Sequence, residues 1–303
     1  MHLLVVCLAF LMSGGTVNTP QDLDKSLESL KDAGANGDPA QVKALATQTY
    51  DLAKGVIATP APANAADKKD WADQVDYAKS IELQADYVIY TRAIQGPAAV
   101  TVDLFSTLEQ LNPASKYLDL GYGSYFYALR ETGAAAKIPT IAEHAVAHFP
   151  ANDAALLVLA DSAMTRKQPD RAIAYADRLV AALNRKAKPE GESEAEWTRT
   201  KDTELGHGYW VAGLLRCEKG QYYQANENLR AALPLIKGSD AMMAPALFYL
   251  GLANYQLGKQ TLNRAQIREA AKFSEQAAGY KGPLQDQAQH NALVMRQEAD
   301  SMR

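Results

Sequence analysis

"APALFYLGLANYQLGKQ", residues 244–260, decides how the rest of the chain is read. Leu247, Phe248, Leu250 and Tyr255 recur at helical spacing, with the small residues Ala246, Gly251 and Ala253 among them. A glycine inside a helix costs on the order of 1 kcal/mol relative to alanine, so Gly251 needs a reason. Close packing supplies one: a side chain where two helices cross holds their backbones apart, and glycine removes it. Gly213 and Ala160 stand at the matching places in "YWVAGLLRCEKGQYYQANENLRAAL" (209–233) and "LLVLADSAMTRKQPDRAIAYADRLV" (156–180). Ala225 and Ala172 are the expected reciprocal contacts on the second helices. Gly133, Gly220 and Gly258 are expected instead in turns between helices, where glycine adopts a left-handed backbone with little strain.

Outward from this stretch, helical periodicity continues in both directions, and no segment alternates convincingly with period two. Thr19-Pro20 reads as a cap and first helical position, leading into Leu23, Leu27 and Leu30 on one face. A second helix runs to about Ile57. "ATPAPANAAD" is the one Pro/Ala-rich linker, and a long helix follows from about Asp67 to Ile94. Breaks at Gly96-Pro97, Asn112-Pro113, Gly133, Pro150, Pro169, Gly220, Gly238 and Gly282-Pro283 give roughly thirteen helices. The spacing from Gly96 to Pro113 recurs from Gly133 to Pro150, and such regularity points to a repeat architecture. "SEAE" (193–196) is a capping-box signal ahead of Trp197, so the stretch 184–205 is expected to re-form helix. Leu284, Ala288, Ala292, Met295, Ala299 and Met302 form one stripe of an expected capping helix.

The chain has 303 residues, 48% of them hydrophobic, so a sizeable core is available. Its formal charge is −4, and no basic block stands out beyond "DKKD", which argues against a nucleic-acid partner. The apolar run from Leu3 to Met12, followed by small residues, has the shape of an export signal. It lacks a preceding Lys or Arg and a clean A-x-A site, and an ordinary N-terminal helix of a cytoplasmic protein is the alternative. It is also shorter than the roughly 20 apolar residues a membrane span needs. The expectation is an exported protein, periplasmic or secreted, or otherwise a cytoplasmic one. Two cysteines, Cys7 and Cys217, exclude a cysteine-rich zinc module, and removal of the leader would leave Cys217 unpaired.

The pattern of a large residue, Leu-Gly, a turn glycine, then alanine and an aromatic resembles the tetratricopeptide repeat (TPR). It covers about residues 82–283 in five units, best at 206–239 and 244–283. It departs at the insertion 184–205, at the late second helix after "QTLNRAQ", and at Ile89 and Phe126, which replace the central glycine. The resemblance implies an all-α, right-handed α-solenoid of antiparallel helix pairs. The organisation is then a leader (1–18), an N-terminal pair (19–58), a linker (59–66), TPR-like repeats (67–283) and a capping helix (284–303). It further implies that first helices line a concave groove, here with Asp86, Tyr90, Tyr127, Arg130, Leu157, Asp161, Trp210, Leu214, Phe248 and Tyr255. That groove is apolar and aromatic, suited to a protein or peptide segment; the alternative is that the same rings pack as core. The Lys and Asn with which some relatives grip a C-terminal carboxylate are missing.

His144 and His148 in "EHAVAHFP" stand four apart on one helix, a spacing that can grip a metal, but no intervening general base or third ligand accompanies them. "GYGSYFY" (121–127) falls inside a helix rather than after a strand, so it is no phosphate loop. No nucleophile, base and orienting group come together. The expectation is a non-catalytic interaction scaffold or adaptor of the cell envelope with no cofactor. A metal-dependent site at His144 and His148, and self-assembly of copies, stand as alternatives.

Overall fold

Thirteen α-helices and one 3₁₀ turn carry the described chain in a computed structural model, which covers residues 20–302. The leader and the cap expected at Thr19 lie outside them. Among the described residues there is no β-strand, and no helix is long and apolar enough to cross a membrane. The chain forms two compact units that meet between Thr132 and Gly133, inside the run read from sequence as one array.

The first unit holds α1 (Pro20–Asn36), α2 (Pro39–Ile57), α3 (Ala65–Gln95), α4 (Ala98–Leu111) and α5 (Lys116–Glu131). Asp38, Asn64 and Ser115 start α2, α3 and α5 by accepting from the backbone N–H two residues on. Leu23, Leu27 and Leu30 are buried, as their spacing predicts. Leu23 and Leu27 pack with α2 and α3 around Ala53, Ala78 and Ile81. The Pro/Ala segment is therefore no free hinge here: α1 and α2 pack on α3, and Trp71 Nε1 donates to Thr59 O at 2.8 Å.

The second unit holds the 3₁₀ turn Ala135–Lys137, α6 (Ile138–His148), α7 (Asp153–Thr165), α8 (Pro169–Arg185), α9 (Glu194–Glu218), α10 (Tyr222–Leu235), α11 (Asp240–Gln260), α12 (Arg264–Ala278) and α13 (Gln285–Ser301). The capping box forms: Ser193 Oγ accepts from Glu196 N–H and donates to its carboxylate at 2.7 Å, so the insertion lengthens α9. Each helix packs chiefly on its chain neighbours. A Cβ on Gly251 would lie 2.6 Å from Ser274 Oγ and 3.1 Å from Ala270 O, and one on Gly213 would lie 2.6 Å from Leu229 Cγ. Both glycines therefore mark close crossings, and Gly213 receives Leu229 rather than Ala225.

Gly258 corrects the sequence reading. It lies within α11, where its Cβ would meet Ile267 Cγ1 at 2.7 Å, and contacts at Gly251 and Gly258 fan out from one turn as antiparallel helices require. The left-handed residue is Leu262 (φ 51), in line with Lys167 (φ 55) and Gly220 (φ 75). All three turns close alike, with Gln168 N–H to Ala163 O, Gln221 N–H to Arg216 O and Asn263 N–H to Gly258 O at 2.8–2.9 Å. This is the six-to-one bond of a Schellman motif, which satisfies a carbonyl left open at the helix end. Gly258 supplies that carbonyl, four residues before the left-handed position.

Two glycine substitutions separate packing from propensity. Gly251→Ala should lower stability by about 1–3 kcal/mol by overpacking α12. Gly123→Ala, in α5 with nothing within 4 Å of the added Cβ, should raise it by about 0.5–1 kcal/mol. Urea denaturation of both variants checks the opposite signs.

Candidate functional site

In α3 the residues Ala78, Ile81, Ala85, Ile89 and Ala93 are buried, as a core stripe demands. A second apolar stripe runs along another face of the helix: Leu83, Tyr87 and Ile94 are exposed, and Tyr90 is half-buried. Neighbouring α5 adds exposed Leu120 and Tyr127 and half-buried Tyr117, spaced along one side of that helix. Tyr117 joins the two helices, its ring centroid 5.5 Å from both Tyr87 and Tyr90. From there the rings descend into the unit. Tyr90 meets Phe105 edge-on at 6.2 Å, and Phe105 stacks on Tyr125 at 5.6 Å. Gly121 permits this, because a Cβ there would collide with the Phe105 ring.

A buried carboxylate fixes the register beneath the tyrosines. Asp86 is 1% exposed. Its Oδ1 accepts from Tyr50 OH of α2, and its Oδ2 accepts from Asn112 Nδ2 at 2.9 Å. Ser115, the N-cap of α5, also hydrogen-bonds to it. Burial pushes the Asp86 carboxyl up, and the Tyr50, Ser115 and Asn112 donors oppose that. Lys54, one turn beyond Tyr50, donates to Leu111 O at 3.2 Å and clips the end of α4. The start of α5, and with it Tyr117, is thus tied to the turn of α3 that carries Tyr87. Partial burial, then the neighbouring Tyr117 and Tyr87, push the Tyr90 phenol up, so that ring is neutral at physiological pH.

The sequence-predicted residues separate into three groups. Tyr90 and Tyr127 lie on the α3–α5 face, and Arg130 is exposed on the last turn of α5. Asp86 lies beneath that face rather than on it. In the second unit Leu214 and Phe248 are buried in core clusters, which corrects their assignment to a groove. Leu157 is half-buried beside Leu156 and Leu183. Trp210, also half-buried, donates from Nε1 to Met242 O at 2.9 Å. Asp161 pairs with His207 at 2.6 Å, and Tyr255 OH donates to Glu298. These side chains are already engaged within their own unit. Tyr87, Tyr117, Leu83 and Leu120 were missed, although a helix bearing two apolar stripes was their visible signal.

Among the described residues no three His, Cys, Asp or Glu come together as a metal-binding group; His144 and His148 are both exposed. Burial pushes the Cys217 thiol up to about 12, and its Sγ donates to Tyr249 O at 3.5 Å, so it is not an activated nucleophile. Comparison with family models and with curated proteins gives no match.

Tyr50→Phe should lower stability by about 1–3 kcal/mol, because the buried Asp86 carboxylate loses a donor while the ring volume is kept. Urea denaturation of the variant checks this; an unchanged midpoint would mean that Tyr50 is not part of the anchor.

Proposed function

We propose that the protein is a non-catalytic scaffold that binds an uncharged, apolar segment of a partner protein on the α3–α5 face. The observation that carries this is a row of exposed and half-exposed side chains, Tyr87, Tyr90, Tyr117, Leu120 and Tyr127, held on two helices and left uncovered by the described helices of their own unit. Tyrosine offers large contact area with few rotors to freeze, and its hydroxyl stays compatible with water before the partner arrives. Helices anchored through Asp86 lose little further entropy on binding, so most of the ordering falls on the partner. The engaged state of Cys217, Asp86 and the Asp161–His207 pair favours a binding role over a catalytic one.

The architecture belongs to the same proposal. We read the helices as TPR-like pairs of a right-handed solenoid. The support is the three matching Schellman turns, the glycine crossings, and the contacts of α7 with α9 and of α9 with α11. The apolar leader at residues 3–12 is the ground for placing the interaction in the cell envelope.

A photo-crosslinking residue at Ser124, exposed between Leu120 and Tyr127 on α5, tests the reading in native cells. A discrete adduct is expected from that site, absent when the same residue replaces Asp51 on α2 and lost in a Tyr87→Ala, Leu120→Ala background. Circular dichroism first establishes that the background variant is folded. The same adducts from both positions, or an adduct insensitive to the two substitutions, would refute the face as the binding site.

A further inference from the structure

The exposed side of α5 has a symmetry that packing within the chain does not require. Lys116, Leu120, Gly123, Ser124, Tyr127 and Glu131 are all exposed, at successive spacings of four, three, one, three and four residues. That order of spacings reads the same from either end, with a cation at one end and an anion at the other. Residues three and four apart are neighbours on a helix surface, so these residues share one side of α5. Asp119 and Arg130, the other charged groups of this helix, lie at its flank. Two features of this side have no explanation inside the chain. Gly123 sits within a helix, where glycine costs about 1 kcal/mol against alanine, yet a Cβ there would have nothing within 4 Å. By contrast, Gly121, Gly213 and Gly251 each make room for a side chain of a neighbouring helix. Lys116 opens α5 and Glu131 closes it, each against the helix dipole, which favours an anion at the start and a cation at the end.

We propose that α5 pairs antiparallel with α5 of a second copy of this chain, about a twofold axis passing between Gly123 and Ser124. Such a contact is isologous: where one residue meets a second across the axis, the second meets the first. The pairing sets Gly123 of each copy against Ser124 of the other, Leu120 against Tyr127, and Lys116 against Glu131. The small central residues let the two helix axes approach to about 8 Å. Apolar contacts follow on either side of the axis, and ion pairs close both ends. From Leu120 to Leu129 α5 carries no charge, so the pairing strands none beneath it. A contact of one helix per copy falls below the roughly 1,200 Å² at which stable interfaces begin. The dimer is therefore weak, dilute protein presents the face open, and self-pairing competes with a partner segment for it. This inference rests on reading the α3–α5 face as a binding surface, and it names a second copy as an occupant.

Sedimentation equilibrium of the purified chain, at loading concentrations spanning roughly a hundredfold, reads the association. Wild type should fit a monomer–dimer equilibrium. Lys116→Glu and Glu131→Lys each set like charges against one another at both ends of the pair, and each should weaken dimerisation roughly tenfold. Mixed in equal amounts, the two variants should pair with each other about as tightly as wild type, because each supplies the charge the other lacks. Both reversals suit the helix dipole, so neither threatens the fold. Gly123→Ala should also weaken dimerisation while raising stability in urea. A monomer at every concentration, a dimer indifferent to both charge reversals, or no recovery on mixing would overturn the self-pairing. A monomer whose Ser124 photo-crosslinker still captures a different protein in cells would overturn it too, while leaving the partner-binding reading in place. A dimer that follows the charge reversals and whose crosslinker captures only the second copy would support it and remove the separate partner.

Discussion

The buried carboxylate of Asp86 is the constraint on which the first unit's surface depends. A charge of this kind is tolerated inside a protein only when donors surround it, and here they come from α2, from the α4–α5 turn and from the cap of α5. Meeting that requirement sets where α5 begins relative to α3. Since Tyr87 follows Asp86 directly and Tyr117 follows Ser115 by two, the same bonds align the rings on the outside. The anchor and the aromatic face are two sides of one turn of helix.

The second unit solves the packing problem differently. Its helices close on one another where side chains are absent, at Gly213, Gly251 and Gly258, and each pair reverses through the same left-handed turn. Only one of the three turns spends a glycine on that position. Leu262 holds it in the last pair at a cost of about 1–2 kcal/mol for a non-glycine residue, with the hydrogen bond from Asn263 N–H to Gly258 O as its return. The aromatic and polar residues of this unit, Trp210, Tyr255 and the Asp161–His207 pair, close internal contacts. The tyrosine row of the first unit differs in that the rings of Tyr87 and Tyr127 are exposed.

Local features were legible in the sequence because one helix suffices to express them. The stripe Leu23, Leu27, Leu30, the capping box at Ser193 and Glu196, and the small residue demanded at Gly251 all follow from spacing along a single element. What depended on distant pairing was not legible. Nothing near Asp86 announces Tyr50 or Asn112 as its partners, so the residue was placed on a surface rather than beneath it. Leu214 and Phe248 look identical in sequence to groove residues, and only their neighbours make them core. Gly258 was misplaced because the left-handed position is fixed by where α11 stops, and "QTLN" moves that point past the glycine. The two stripes of α3 were visible, but spacing alone does not say which one a unit covers.

Footprinting of tyrosines by hydroxyl radicals, with the protein alone and in native extract, tests the central claim most directly. The account predicts that Tyr87, Tyr117 and Tyr127 lose reactivity together in the extract, while Tyr223 on α10, as exposed as Tyr127 at 62%, keeps its own. Unchanged reactivity at all four, or protection shared equally by Tyr223, would contradict a partner-binding face on α3 and α5.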